Sequence, residues 1–326
     1  MASATETGAG AHLDRAADAR RRDLAWLAAQ REHPAARALP VSSDGFRLRG
    51  ERLAPVPLGE VPAGSAPLLL GLDAEGPLFA VDVDPSAPDG ERPPLIAGGS
   101  RRGQAVAPPP AAEGTRTVAL REAAAVLSDH EGGLAAYAAA LLNWHRRDRC
   151  CSVCGTGTEV REGGLLRRCP RCQTTHHPRT DPVVIMLVTD GDRLLLGRQA
   201  AWPVRRYSAL AGFVEPGETL EAAVVREVRE EAGVTVGPPC YVASQAWPFP
   251  ASLMLGFDAP WRAGEAAPGE DEIEDVRWFS RAEVAAAAEL DVDGWGVEPA
   301  GAPGDGLLLP PRTAIARRLV EGWLGA

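Results

Sequence analysis

A chain of 326 residues is long enough for two or three domains with a sizeable core, and its 45% hydrophobic and 24% charged residues are ordinary for a globular protein. A net charge of −10 argues against broad electrostatic binding of nucleic acid or acidic membranes, leaving room for a local basic site. No apolar run approaches the roughly 20 residues of a membrane span, and the first 23 residues are too polar for a secretory signal, so a cytoplasmic protein without a membrane partner is expected.

Residues 1–40 read as a polar terminus followed by an Arg-rich helix around 24–29. PLLLGLDAEGPLFAVDVD (67–84) reads as two strands around a turn at 73–76. Residues 85–113, rich in Pro and Gly, read as a long exposed loop. REAAAVLSDHEGGLAAYAAALLNWHRR (121–147) reads as helix, broken near Gly132 and Gly133. A cysteine cluster follows. PVVIMLV (182–188) and DRLLLGRQ (192–199) read as buried strands, and 207–233 as a strand, a glycine turn and a long helix. Further strands are expected at 241–247 and 274–280, and a helix over 310–325. No internal repeat is visible. The expected organisation is an N-terminal α+β domain over 1–146, a small metal module over 147–178 and a mixed α/β domain over 179–326.

GFVEPGETLEAAVVREVREEAGV (212–234) holds six glutamates in 23 positions. No proline or glycine interrupts the run from Glu218 to Ala232; Pro216 and Gly217 form a turn before it, and Gly233 sits where a C-cap glycine belongs. Helix positions advance by about 100° per residue. Relative to Leu220, Val224 and Val228 then fall at about 40° and 80°, and Glu227 and Glu231 at about −20° and 20°. These two carboxylates share a face and border the apolar stripe, with Glu230 flanking them near −80°. A solvated face would lie opposite the stripe; the bland alternative is a surface helix with i,i+4 ion pairs. Carboxylates this close repel unless a cation sits among them, and hard oxygens suit Mg²⁺ or Mn²⁺. Such ions neutralise phosphate charge and activate water, which fits a metal-assisted phosphoryl or pyrophosphate hydrolase.

Gly212, Glu218 and the run Arg226, Glu227, Val228, Arg229, Glu230, Glu231, Ala232, Gly233, Val234 resemble the complete Nudix box, with every fixed position met. The resemblance implies a Nudix α/β/α sandwich that cleaves nucleoside diphosphates linked to another group. It assigns Glu227 and Glu231 to a divalent metal and Glu230 as a further ligand or water-orienting base. It also pairs Arg226 with Glu218 to hold the loop–helix geometry.

Five of the six cysteines fall between 150 and 172. In a large cytoplasmic chain such a cluster reads as metal before disulfide. Cys151-x2-Cys154, fourteen residues, then Cys169-x2-Cys172 is close to the spacing of a four-cysteine zinc ribbon; redox or chance thiols are the alternative. Four thiolates leave no open coordination position, so structural Zn²⁺ is expected. Cys150 could replace Cys151 in the first pair. Cys240 reads as a core thiol.

Two further stretches narrow the resemblance. NWHRRDRCCSVCG (143–155) and HHPRTDPVVIMLV (176–188) place the ribbon directly before the Nudix domain, and SQAWPFPAS (244–252) lies just past the box. This order is similar to the zinc-ribbon-containing NADH pyrophosphatase (NAD⁺ diphosphatase) family, whose hallmark is SQPWPFPxS. The similarity runs from about Leu134 to the C-terminus; the N-terminal third is similar only in outline. Gln245 offers a donor and an acceptor, Ser252 a hydroxyl, and Pro248 and Pro250 stiffness; Trp247 and Phe249 would equally suit a packed core.

The family resemblance implies substrate contacts at Gln245, Trp247, Phe249, Ser252 and Ala316, and a ring sandwich between Phe213 and His177. It implies a metal ligand at Glu272 in EDEIEDVRWF and a metal contact through the carbonyl of Ala211. This sequence departs from the family at Ala246, where a proline is usual, and at His177, where a tyrosine is. Gly163 and Gly164 stand where an acidic residue is expected. The activity implied is metal-dependent hydrolysis of NAD(H) to NMN(H) and AMP by a homodimer using Mg²⁺ or Mn²⁺. Removal of an NAD cap from RNA 5′ ends breaks the same bond in a larger substrate. The alternatives are a Nudix hydrolase of another nucleoside diphosphate derivative such as ADP-ribose, and a zinc-ribbon nucleic-acid-binding protein with an inactive Nudix domain.

Overall fold

The computed structural model describes residues 13–62, 64–84, 114–269, 273–290 and 306–325. The loop expected over 85–113 and Glu272 lie outside the described residues. Contacts divide the chain into one unit of Met1–Arg179 with Pro248–Ala251, and a second of Thr180–Trp247 with Ser252–Ala326.

The first unit opens with α1 (Asp18–Arg22) and α2 (Leu24–Glu32), the latter started by Asp23, whose carboxylate accepts from the N–H groups of Ala25 and Trp26. Then come β1 (Arg37–Ser42), β2 (Gly45–Arg49), β3 (Arg52–Leu53), β4 (Val56–Pro57), a 3-10 turn (Leu58–Glu60), β5 (Leu68–Asp73), β6 (Gly76–Asp82) and β7 (Thr115–Val118). Their sheet runs β3-β2-β1-β6-β5, with β4 on β1 and β7 on β2. Leu39, Val41, Phe46 and Leu48 pack from the sheet against Leu134, Ala138 and Leu141 of the helical layer. That layer is α3 (Leu120–Val126) and α4 (Asp129–Arg147). The helix break therefore falls earlier than Gly132 and Gly133, both of which are inside α4. Ser128 sets it, its hydroxyl accepting from Glu131 N–H, whereas a glycine inside a helix costs only about 1 kcal/mol and the buried face of α4 outweighs that. The ribbon, β8 (Glu159–Arg161), β9 (Leu166–Arg168) and β10 (Thr175–His176), forms a separate three-stranded sheet of this unit.

The second unit contains β11 (Asp181–Asp190), β12 (Arg193–Arg198), β13 (Leu210–Phe213), α5 (Leu220–Ala232), β14 (Thr235–Val236), β15 (Cys240–Trp247), β16 (Ser252–Ala263), β17 (Asp275–Ser280), α6 (Arg281–Ala288) and α7 (Ile315–Leu324). The alternation along β11 separates two cores. Val184, Met186 and Val188 face Ala223, Val224 and Val228 of α5, while Ile185 and Leu187 face Val284 of α6 and Ile315 and Leu319 of α7. This is the α/β/α sandwich. Cys240, expected in the core, is exposed: it opens β15, which pairs with β16 alone and whose first three residues face solvent.

The two units share one wiring scheme, which corrects the reading of no internal repeat. In the first, β1 pairs antiparallel with β2 and β4 and parallel with β6; β5 pairs antiparallel with β6 and β7 with β2. In the second, β11 pairs antiparallel with β12 and β13 and parallel with β16; β15 pairs antiparallel with β16 and β17 with β12. Among the described residues two helices follow β7, as two follow β17. The units differ in β3, which extends the first sheet beside β2, in β14, which extends the second beside β16, and after the third corresponding strand, where the second unit has the 13-residue α5 and the first a 3-residue 3-10 turn.

Candidate active site and metal centre

α5 starts at Thr219, whose hydroxyl accepts from Ala222 N–H, and stops at Gly233, which takes φ 68°. Burial of Val224 and Val228 fixes its rotation, and with it the placement of three carboxylates. Glu231 is 8% exposed and its Oε2 accepts from the Ala211 N–H at 3.1 Å. The Glu227 side chain is 13% exposed, and that of Glu230 is 59% exposed. Glu227 passes so close to β13 that a Cβ at Gly212 would lie 1.8 Å from its Cδ. Only a residue without a side chain fits there.

Arg226 ties this patch together. Its Nε and Nη2 donate to the two oxygens of Glu218 at 3.2 and 2.7 Å, Nη1 donates to Glu227 and Glu230 at 2.9 Å each, and Nη2 also donates to the Phe213 carbonyl at 2.8 Å. The carboxylates, Glu218 first, raise the pKa of the guanidinium well above its ordinary value, and Arg226 holds the Glu218 carboxyl below the usual carboxylate range. Glu218 in turn accepts from Glu215 N–H at 2.7 Å, which closes the turn before the helix. Among the described residues only the four cysteines bring three or more ligand atoms within reach of one ion; Glu227, Glu230 and Glu231 share one side of α5, with Glu227 and Glu230 paired to Arg226 and Glu231 to the Ala211 N–H, and their carboxylate oxygens are of the type that suits Mg²⁺ or Mn²⁺.

A cavity of about 170 Å³ adjoins Glu231, lined among others by Ala211, Trp247, Ala316, Trp202, Gln199 and Ile273. Trp202, Gln199 and Ile273 were not singled out from the sequence, where a tryptophan between strands carries no signal of its own. Gln245 is held elsewhere: its Nε2 donates to the Thr313 carbonyl and its Oε1 accepts from Ile315 N–H, both at 2.8 Å, which satisfies an orphan donor at the start of α7. Ser252 begins β16 opposite Trp247. Phe249 belongs to the first unit, with the Arg121 guanidinium 4.0 Å from its ring centroid. The ring of Phe213 is 60% exposed in the second unit, and His177 is exposed in the first.

In the ribbon, the sulfurs of Cys151, Cys154, Cys169 and Cys172 lie within 4.8 Å of one another, with Cys151–Cys172 and Cys154–Cys169 at 3.5 Å. Four thiolates around Zn²⁺ at about 2.3 Å stand about 3.8 Å apart, so the set fits that ion with little adjustment. Cys150 is exposed and outside the cluster. His145 of α4 fixes the ribbon from behind, with Nε2 at 2.8 Å from the Gly164 carbonyl and Nδ1 at 2.8 Å from Arg167 Nη1. Burial lowers its pKa to about 4, and the neighbouring Arg167 acts in the same direction, so the imidazole is neutral: Nε2–H donates to Gly164 and Nδ1 accepts from Arg167.

Residues 179–299 match the model of the NUDIX domain, and residues 24–144 match that of the NADH pyrophosphatase-like rudimentary NUDIX domain. Two NUDIX-type models thus match separate stretches of this chain. The second match agrees with the shared wiring of the two units. Among curated relatives, the chain is 44% identical over 208 residues to the human NAD-capped RNA hydrolase NUDT12, covering 61% of this chain and 43% of that one. It is 44% identical over 191 residues to the NAD-capped RNA hydrolase NudC of Stutzerimonas stutzeri (59% and 61% covered), and 45% identical over 208 residues to NudC of Mycobacterium tuberculosis (63% and 64% covered). The chain thus spans about two fifths to under two thirds of the length of these relatives. Among the described residues no helix is long and apolar enough to cross a membrane.

Proposed function

We propose that this Nudix chain hydrolyses the pyrophosphate bond of NAD(H), releasing NMN(H) and AMP, and acts on the same bond at NAD-capped RNA 5′ ends. The observation that carries the reading is that α5 sets Glu227 against Gly212, Glu230 on Arg226 and Glu231 against Ala211, with Glu231 beside an apolar cavity. The similarity to NAD-capped RNA hydrolases supports the choice of substrate. Glu227, Glu230 and Glu231, with the Ala211 carbonyl and Glu272, would hold Mg²⁺ or Mn²⁺, which supplies neutralisation of phosphate charge and an acidified water.

The chain's own groups do the rest. Arg226 keeps Glu227 and Glu230 from swinging apart and fixes the turn through Glu218 and the Phe213 carbonyl. Glu230, the most exposed of the three, accepts the proton of the attacking water. Trp247 and Ala316 wall the cavity that receives a ring of the dinucleotide. No covalent intermediate is needed, because water attacks phosphorus directly. Cys151, Cys154, Cys169 and Cys172 hold structural Zn²⁺. The working form is a cytoplasmic homodimer.

The test is product analysis by chromatography after incubation with NADH, NAD⁺, ADP-ribose and a short NAD-capped RNA, with Mg²⁺ or Mn²⁺. AMP and NMN(H), formed only with metal and lost in Glu231→Gln, support the reading. Cleavage of ADP-ribose alone would move the chain to another Nudix substrate. Cleavage of none, with zinc bound, would replace hydrolysis by nucleic-acid binding.

A further inference from the structure

We propose that Ser208 and Gln199 read the exocyclic nitrogen group of a flat heterocycle in the cavity beside Glu231, and so set which ring of the dinucleotide is seated there. This inference rests on the dinucleotide reading above.

Ser208 lines the cavity and is only 4% exposed. Its backbone is fixed by two bonds with Gly197, N–H to carbonyl in each direction at 2.9 Å. Its hydroxyl has no partner among the described residues. The Oγ itself keeps some exposure, so it opens on the cavity, where a bound group is the partner within its reach. Gln199, half-buried just past β12, also lines the cavity and its carboxamide has no partner among the described residues. Its carbonyl accepts from Trp202 N–H at 3.0 Å, closing the turn that brings Trp202 to the same wall.

The remaining wall is apolar: Ile185, Met254, Ile273 and Trp247. At about 170 Å³ the cavity is smaller than the roughly 300–1,000 Å³ that encloses a drug-sized ligand, so it takes one ring and not a whole dinucleotide. A serine hydroxyl and a glutamine amide together offer donors and acceptors to a group that has both. Nicotinamide, through its carboxamide, and adenine, through its amino group and ring nitrogens, share this chemistry.

The experiment compares the wild-type chain with Ser208→Ala and Gln199→Met on four substrates: NAD⁺, NADH, nicotinic acid adenine dinucleotide and nicotinamide hypoxanthine dinucleotide. Calorimetric binding of AMP and of NMN is read on the same three proteins. Wild type should prefer NAD⁺ over one altered dinucleotide by roughly ten- to a hundredfold, mostly in KM. Both variants should bring that ratio to within about threefold, with kcat on NADH changed less than KM. Discrimination against the nicotinic acid compound, with weakened NMN binding in the variants, seats nicotinamide; discrimination against the hypoxanthine compound, with weakened AMP binding, seats adenine. An active wild type whose ratios are the same in both variants overturns the subsite and leaves the dinucleotide reading standing. A wild type that cleaves none of the four overturns the dinucleotide reading, and unchanged AMP and NMN binding in the variants then overturns the subsite as well.

Discussion

Arg226 directs its fork at three carboxylates and one carbonyl, a geometry a point charge cannot reproduce. Arg226→Lys should lower kcat roughly ten- to a hundredfold while leaving KM for NADH within a few-fold, measured by steady-state kinetics at saturating metal. Gly212→Ala tests a different contact. Its Cβ would overlap the Glu227 carboxylate, so the glutamate must move. The expected outcome is a loss of at least a hundredfold in activity with a change in melting temperature of only a few degrees, because no apolar packing is removed. Glu227, Glu230 and Glu231 stand out in sequence because they recur at helical intervals, whereas the Arg226–Glu218 pair is legible only through the family resemblance. Ser208, Gln199 and Trp202 do not, since only the crossing of β12, β13 and α7 gathers them around one cavity. Gln245 looked free to bind substrate because its partners, Thr313 and Ile315, lie 68 and 70 residues away.

At the scale of elements, α4 and the ribbon meet through His145. Its folded pKa of about 4 lies below the ordinary 6.5, so the neutral form stabilises the fold fully above about pH 6.5. As pH falls towards 4 the unfolded chain takes up the proton first and that stability is lost, by an upper bound on the order of 3 kcal/mol. Melting curves of wild type and His145→Gln, both zinc-loaded, should therefore converge between pH 7 and pH 4. Helix ends are partly legible: Gly233 marks the end of α5, but Ser128, a single hydroxyl between Leu127 and Asp129, is outweighed by the glycine pair that follows it. The strands β1 to β4 escaped notice because each is short and their alternation is broken by arginines and prolines, and only the pairing with β6 and β7 makes them a sheet.

The whole molecule is acidic, so long RNA tracts gain little from it. NAD-capped RNAs of about 5 and about 30 nucleotides should show KM values within a few-fold of each other at 0.15 M salt, measured by cap release, with only a shallow salt slope. The ribbon lies in the first unit and has little apolar core of its own, its strands being three, three and two residues long. Chelation of its ion should expose the amides of β8 and β9 in hydrogen exchange while those of β11 and β12 stay protected.

Two sheets of the same wiring in one chain present a refolding problem. During renaturation either parallel centre pair could recruit a strand meant for the other, the usual route to swapped or tangled tandem domains. The lengths oppose this. β1 and β6 have 6 and 7 residues, whereas β11 and β16 have 10 and 12, so an exchange leaves several backbone groups of the longer strand with nothing to bond. Unequal strand lengths thus act as a proofreading device for assembly.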